Sequence, residues 1–82
     1  MTEYREGQVV WLAEFEGNPR VQAVIIDIQD PVVWGQMCVC SVKPENPSDD
    51  GLRELDMDQI EGHTEVDEID PWIAENYEAL YG

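Results

Sequence analysis

Positively charged residues are scarce in this sequence, and their scarcity excludes several classes of function. The 82 residues include 4 Lys and Arg against 19 Asp and Glu, which gives a formal net charge of −15. A surface that binds nucleic acid needs basic side chains to neutralise phosphates, so direct binding to DNA or RNA is not expected. Binding to an anionic membrane surface is excluded for the same reason.

Long apolar runs are also missing, and cysteines are few. No apolar stretch reaches the length of about 20 residues that a membrane-spanning helix requires, and the first residues, Met1 to Glu6, do not resemble a signal peptide. Cys38 and Cys40 are separated by one residue, so a disulfide between them in an extended segment would be distorted. These features favour a cytoplasmic protein with two small, buried cysteines on a strand.

Candidate catalytic and metal-ligating residues are sparse. The single histidine, His63, lies in a polar acidic run, and we interpret it as a surface residue. Together with Cys38 and Cys40 it would lack a fourth zinc ligand and the usual cysteine spacing. A calcium loop beginning at Asp56 fails because Glu61 occupies the glycine position. The sequence therefore predicts no enzyme, no bound metal and no cofactor.

The first half of the chain has the alternation of β-strands. Apolar and β-branched residues predict strands over 8–16, 21–29 and 32–42, and residues 17–20 (Gly-Asn-Pro-Arg) predict a turn between the first two. Because Trp11 alternates with other apolar residues of the first strand, we expect it to lie in the core.

The second half is more polar. Prolines, glycine and acids over 43–51 predict a loop, alternation over 52–60 predicts a fourth strand, and 61–69 holds either a fifth strand or an irregular connection. Asp70 followed by proline predicts the start of a helix over 71–81, whose apolar stripe must pack on another element.

The order of these elements predicts one domain over residues 1–82. It is expected to be mainly β, a small antiparallel barrel or curved sheet of four or five strands with a short C-terminal helix. The segment Gly7 to Leu12 followed by Val21 to Ile28 resembles the opening hairpin of SH3-like barrels. The resemblance covers residues 7–60 and implies a small-barrel fold without fixing a role, because such barrels host many unrelated binding functions.

The acidic residues are concentrated in the second half. Residues 1–44 contain 6 acids and 3 cations, whereas residues 45–82 contain 13 acids and Arg53 alone. On an extended strand, acids at alternate positions would share one face at intervals of about 6–7 Å, close to every second phosphate step of a DNA strand. The predicted partner-binding residues are Glu54, Asp56, Asp58, Glu61, Glu65, Asp67 and Glu68, with Trp34 and Trp72 as aromatic anchors.

Two functions follow from these features as hypotheses. The first is a non-enzymatic DNA or RNA mimic that inhibits a basic, nucleic-acid-handling host protein. The composition resembles that of small acidic anti-defence proteins carried by phages and mobile elements, which implies action in the host cytoplasm. The alternative is an SH3-like interaction module that docks through an apolar patch around Trp34 or the C-terminal helix. Solubility and adaptation to high salt would also explain the acidity, and the oligomeric state, a dimer included, is left open.

Overall fold

A computed structural model describes residues 4–29, 36–44, 46 and 48–81, most of which lie in or between β-strands. The elements in chain order are β1 (Val9–Leu12), β2 (Val21–Ile28), β3 (Met37–Ser41), β4 (Leu52–Asp56), a first 3-10 turn (Met57–Gln59), β5 (Ile60–His63), a second 3-10 turn (Val66–Glu68) and α1 (Pro71–Leu80). The predicted mainly β fold with a short C-terminal helix is confirmed.

The five strands form one antiparallel sheet in the order β4-β3-β2-β1-β5. β4 and β5 lie at opposite edges, although only the first 3-10 turn separates them in the chain. The chain from Asp56 to Ile60 spans at most about 14 Å, whereas the outer strands of a flat five-stranded sheet are about 19 Å apart. The sheet is therefore strongly curved. Its described edge strands do not pair, so it is not a closed barrel.

Two predicted strands, over 8–16 and 52–60, extend well past the observed ends of β1 and β4. β1 ends at Leu12 rather than at residue 16, because its register with β5 shifts there and the chain enters a hairpin closed by two hydrogen bonds between Phe15 and Asn18. The two residues at its tip have φ values of 48° and 84°, as tight hairpin turns require. β4 ends at Asp56 rather than at residue 60, because the Asp56 side chain accepts a hydrogen bond from the backbone N–H of Asp58 and starts a 3-10 turn.

The other elements begin and end close to the predicted residues. The strand expected over 32–42 is observed at Met37–Ser41, and residues 32–35 lie outside the described part of the chain. The helix expected over 71–81 is observed at Pro71–Leu80. Asp70 caps it, since its side chain accepts a hydrogen bond of 2.8 Å from the backbone N–H of Trp72. No helix within the described ranges is long and apolar enough to cross a membrane.

The inner face of the sheet is buried, and α1 covers part of the outer face. The inner face buries the main core, which consists of Val10, Leu12, Ala23, Ile25, Cys38, Cys40, Val42, Leu55 and Ile60. On the outer face α1 packs against β2, where Val24 and Ile73 are buried. Because side chains alternate along a strand, Trp11 lies on the outer face, opposite Val10 and Leu12. The prediction that Trp11 belongs to the core is wrong, since it is only half-buried.

Candidate partner-binding surface

Nearly all acidic side chains of the described residues face solvent. Asp56 alone among them is half-buried, and the others are exposed. Within the described ranges there is one ion pair, between Arg20 Nε and Glu61 Oε1 at 2.9 Å. The negative charge therefore remains on the surface and is not neutralised within the described part of the fold.

The predicted row of Glu54, Asp56 and Asp58 is not a straight row. Glu54 is exposed on β4, on the face opposite the buried Leu55. Asp56 accepts the backbone N–H of Asp58 at 3.0 Å, and Asp58 itself lies in the first 3-10 turn. The spacing of an extended strand therefore ends at Asp56, and the predicted match to alternate phosphates over 52–60 is wrong.

Glu61 on β5 is paired with a cation. The Arg20 guanidinium donates to its carboxylate at 2.9 Å and lies over the Trp11 ring, with Cζ 3.9 Å from the ring centroid. Both charged side chains are about half exposed, so water and salt screen the pair. Glu61 consequently adds less net charge to the surface than unpaired acids do.

Three of the predicted acids are brought together at the second 3-10 turn. Glu65, Asp67 and Glu68, which we call the acidic turn, are exposed, and their carboxylates have no hydrogen-bond or ion-pair partner among the described residues. Gln22 of β2 fixes their backbone. Its amide donates to the Glu68 carbonyl at 2.7 Å, and its Oε1 accepts the N–H of Asp70 at 2.6 Å. The acidic turn is thus attached to the sheet by two hydrogen bonds.

An apolar side chain lies in the middle of these acids. Val66 is 86% exposed, and it lines a groove of about 490 Å³ between the second 3-10 turn, β1 and α1. The lining residues of this apolar groove are Gly7, Val9, Val66, Ile69, Ile73, Ala74 and Tyr77. The groove was not predicted. The sequence signal was two apolar β-branched residues, Val66 and Ile69, within an acidic run.

Of the two predicted aromatic anchors, only Trp72 lies among the described residues, and it does not line the apolar groove. Trp34 lies outside the described residues. Trp72 is half-buried in the first turn of α1, where its carbonyl accepts a hydrogen bond of 2.7 Å from the Asn76 side chain. The aromatic ring in the groove belongs to Tyr77, whose hydroxyl donates to the carbonyl of Gly7.

His63 and the two cysteines lie in different surroundings. His63 is exposed on β5, and its ring centroid is 5.0 Å from that of Tyr4. Cys38 and Cys40 are fully buried on β3. In the part of the chain that the structure describes, no three His, Cys, Asp or Glu side chains are grouped as metal ligands.

The buried thiols of β3 contact each other. Residues two apart on a strand share a face, and the Sγ atoms of Cys38 and Cys40 are 3.8 Å apart. The hydrogen bond with Cys38 and the burial of the side chain both raise the pKa of the Cys40 thiol. At alkaline pH the folded protein therefore retains a thiol proton that the unfolded chain releases.

Stability should fall at alkaline pH because of Cys40. The unfolded thiol loses its proton around its ordinary pKa of 9.0. Above that pH the folded state binds more protons, so the free energy of unfolding should decrease by up to about 1.4 kcal/mol per pH unit. Urea unfolding of the wild type and of a variant with both Cys38→Ala and Cys40→Ala across this range is the measurement, because either thiol alone would still be buried. Identical pH slopes in the two proteins would contradict the assignment to the buried thiols.

Neither a family model, nor a curated protein, nor a solved structure matches this chain. The resemblance to SH3-like barrels therefore stays a prediction. The feature that bears on function is the exposed acidic turn, which is fixed to the sheet and lies beside an apolar groove.

Proposed function

We propose that this chain is a non-enzymatic inhibitor that binds a basic, nucleic-acid-handling protein in the host cytoplasm, in place of DNA or RNA. The observation that carries the proposal is the acidic turn, whose three carboxylates are exposed and have no ionic partner among the described residues. A groove that binds phosphates offers cations to such carboxylates. The compositional resemblance to phage-encoded anti-defence proteins supports the host setting.

The net charge governs how such a partner approaches. A charge of −15 creates a field that attracts a cationic protein and raises the association rate. Salt weakens this attraction, because at physiological ionic strength the screening length is about 8 Å. Exposed ion pairs in general contribute only about 0–1 kcal/mol each. The acids therefore supply steering and orientation, and most of the affinity needs another source.

The apolar groove is that source. Burying one large apolar side chain contributes about 1.5–3 kcal/mol, and interface energy is concentrated in such central contacts. The groove lies beside the acidic turn, and both contain residues of the second 3-10 turn. The fitting partner segment accordingly carries an apolar or aromatic side chain flanked by lysines or arginines.

Reversing the charge of the acidic turn should weaken partner binding about tenfold or more, because the attraction becomes repulsion. The variant is Glu65→Lys, Asp67→Lys and Glu68→Lys combined. A matched control reverses three exposed acids of the first half, Glu14, Glu16 and Asp27, and so changes the net charge equally. Both variants need the wild-type circular dichroism spectrum before their binding is compared.

The experiment presents the immobilised wild type and both variants to a bacterial lysate at low salt. A short DNA duplex or an RNA hairpin, added at constant ionic strength, then releases bound proteins, which mass spectrometry identifies. We expect nucleic-acid-binding proteins that the wild type and the control retain and the reversed acidic turn does not. Retention that both triple variants share, or that neither nucleic acid displaces, would contradict the proposal.

A second candidate is an interaction module that docks mainly through the apolar groove, which includes residues of the C-terminal helix. The exposure of Val66 is the observation that favours it. In that case Val66→Asp should abolish binding, whereas raised salt and the reversed acidic turn should leave it nearly unchanged. Because Val66→Asp should weaken binding in both cases, the salt dependence and the reversed acidic turn distinguish the two functions in the same lysate experiment.

A further inference from the structure

A second concave site gathers most of the positive charge of this acidic chain. It is a cavity of about 290 Å³ where the β1–β2 connection, the segment after β3 and the start of α1 meet. Three of the four Lys and Arg side chains line it, namely Arg20, Lys43 and Arg53. We call it the cationic cavity. Its charge is positive, whereas the charge of the remaining described surface is negative.

Two of these cations have no anionic partner within the described ranges. Arg20 alone is in an ion pair, with Glu61. Asp70, the single carboxylate among the described lining residues, accepts the backbone N–H of Trp72 as the cap of α1. Arg53 is half-buried, and a charge held partly away from water attracts an anion more strongly than a fully hydrated one does.

The remaining wall of the cationic cavity is apolar and partly aromatic. Trp11 lines it, with the Arg20 guanidinium lying over the ring 3.9 Å from the centroid. Val21, Val42 and Ile73 complete the apolar wall. A volume of about 290 Å³ is at the lower end for ligand pockets, which suits a body of about one ring.

We infer that the cationic cavity binds a small aromatic anion, a phosphate or carboxylate carried on a flat ring. The guanidinium of Arg53 and the ammonium of Lys43 hold the anionic group, since an arginine fork matches both phosphate and carboxylate oxygens. The ring packs against the valines and the stacked Trp11 and Arg20 side chains. This ligand is an anion, whereas the partner proposed above is basic, so either proposal can fail without the other.

The test uses phenyl phosphate, which carries both the ring and the charge. Inorganic phosphate and benzyl alcohol each carry one of the two features. Two-dimensional ¹H–¹⁵N NMR at physiological salt should show saturable shifts at the Trp11 indole and at the amides of residues 42, 43 and 53. Each of the other two probes should bind at least tenfold more weakly than phenyl phosphate. Shifts that map elsewhere, or none at all, would overturn the inference.

Two variants of equal net charge locate the anion. Arg53→Met keeps an apolar stem and removes a cation of the cavity, so the Kd for phenyl phosphate should rise at least tenfold. Arg5→Met removes the one Lys or Arg that does not line the cavity, and the Kd should change less than twofold. Equal effects would overturn the inference. If the NMR spectrum of Arg53→Met loses its dispersion, that variant is unfolded. Lys43→Met, at an exposed position, then gives the same test.

Discussion

Replacing Gly51 with alanine should lower the free energy of unfolding by about 3–5 kcal/mol. Gly51 is buried directly before β4 and has a φ of +72°, a conformation that disfavours any side chain. A Cβ there would lie 2.3 Å from the carbonyl oxygen of Val42. Because that oxygen belongs to the backbone, no side-chain rotation can relieve the overlap. Separating the two segments would also break the 2.8 Å hydrogen bond from Val42 N–H to the Gly51 carbonyl.

Gly17 provides the matched control for this substitution. Its φ is +84°, so the backbone strain of Gly17→Ala is similar, but no atom lies within 4 Å of the Cβ position. Gly17→Ala should therefore lower the free energy of unfolding only by the backbone strain of a left-handed residue, about 1–2 kcal/mol. Urea unfolding followed by tryptophan fluorescence gives both values. Equal losses of stability in the two variants would show that the overlap with the Val42 carbonyl does not disfavour a side chain at Gly51.

The sequence predicted the fold class because its local signals agree with the tertiary structure. β2 is rich in β-branched residues, and Asp70 and Pro71 mark the start of α1 as capping chemistry requires. The face of β1 could not be predicted. Val10 and Leu12 face the inner core while Trp11 faces the outer side, and both sets are apolar because α1 covers part of the outer face. Alternation identifies a strand, but it does not identify the inner face when both are apolar.

The end of β4 depended on one local hydrogen bond. The alternation over 52–60 is typical of a strand, yet the Asp56 side chain binds the N–H of Asp58 and turns the chain toward the opposite sheet edge. Glu54 therefore lies on the edge strand β4, whereas the acidic turn follows the opposite edge strand β5, although charge density alone had grouped these acids together. Acid content predicted that an anionic surface exists, and the hydrogen bonds of Gln22 fix the acidic turn to the sheet.

The cationic cavity could not be predicted from spacing along the chain. Arg20, Lys43 and Arg53 belong to three separate segments and meet only because β2, β3 and β4 are neighbours in the sheet. In the sequence these three cations are far apart in a chain with 19 Asp and Glu, which favours a surface ion pair as the interpretation of each. Only Arg20 makes such a pair among the described residues.

Replacing Ile73 with alanine should detach α1 from the sheet at a cost of about 2–4 kcal/mol. Ile73 is 2% exposed and is the buried residue of α1, whereas the main core on the inner face does not include it. The loss should therefore be local. Amide hydrogen exchange should accelerate in α1 and the second 3-10 turn, while the amides of β2 and β3 keep their protection. Glu78→Ala, an exposed position on the same helix, is the control and should leave exchange unchanged.

The same substitution should weaken both binding sites, because Ile73 lines the apolar groove and the cationic cavity. Once α1 is detached, the groove loses Ala74 and Tyr77, and the cavity loses the wall that α1 provides. Phenyl phosphate and the basic partner should then bind more weakly to Ile73→Ala than to Glu78→Ala. Exchange that accelerates equally throughout the sheet would contradict local docking. Unchanged exchange would show that the Gln22 hydrogen bonds and the Tyr77–Gly7 contact hold the helix without Ile73.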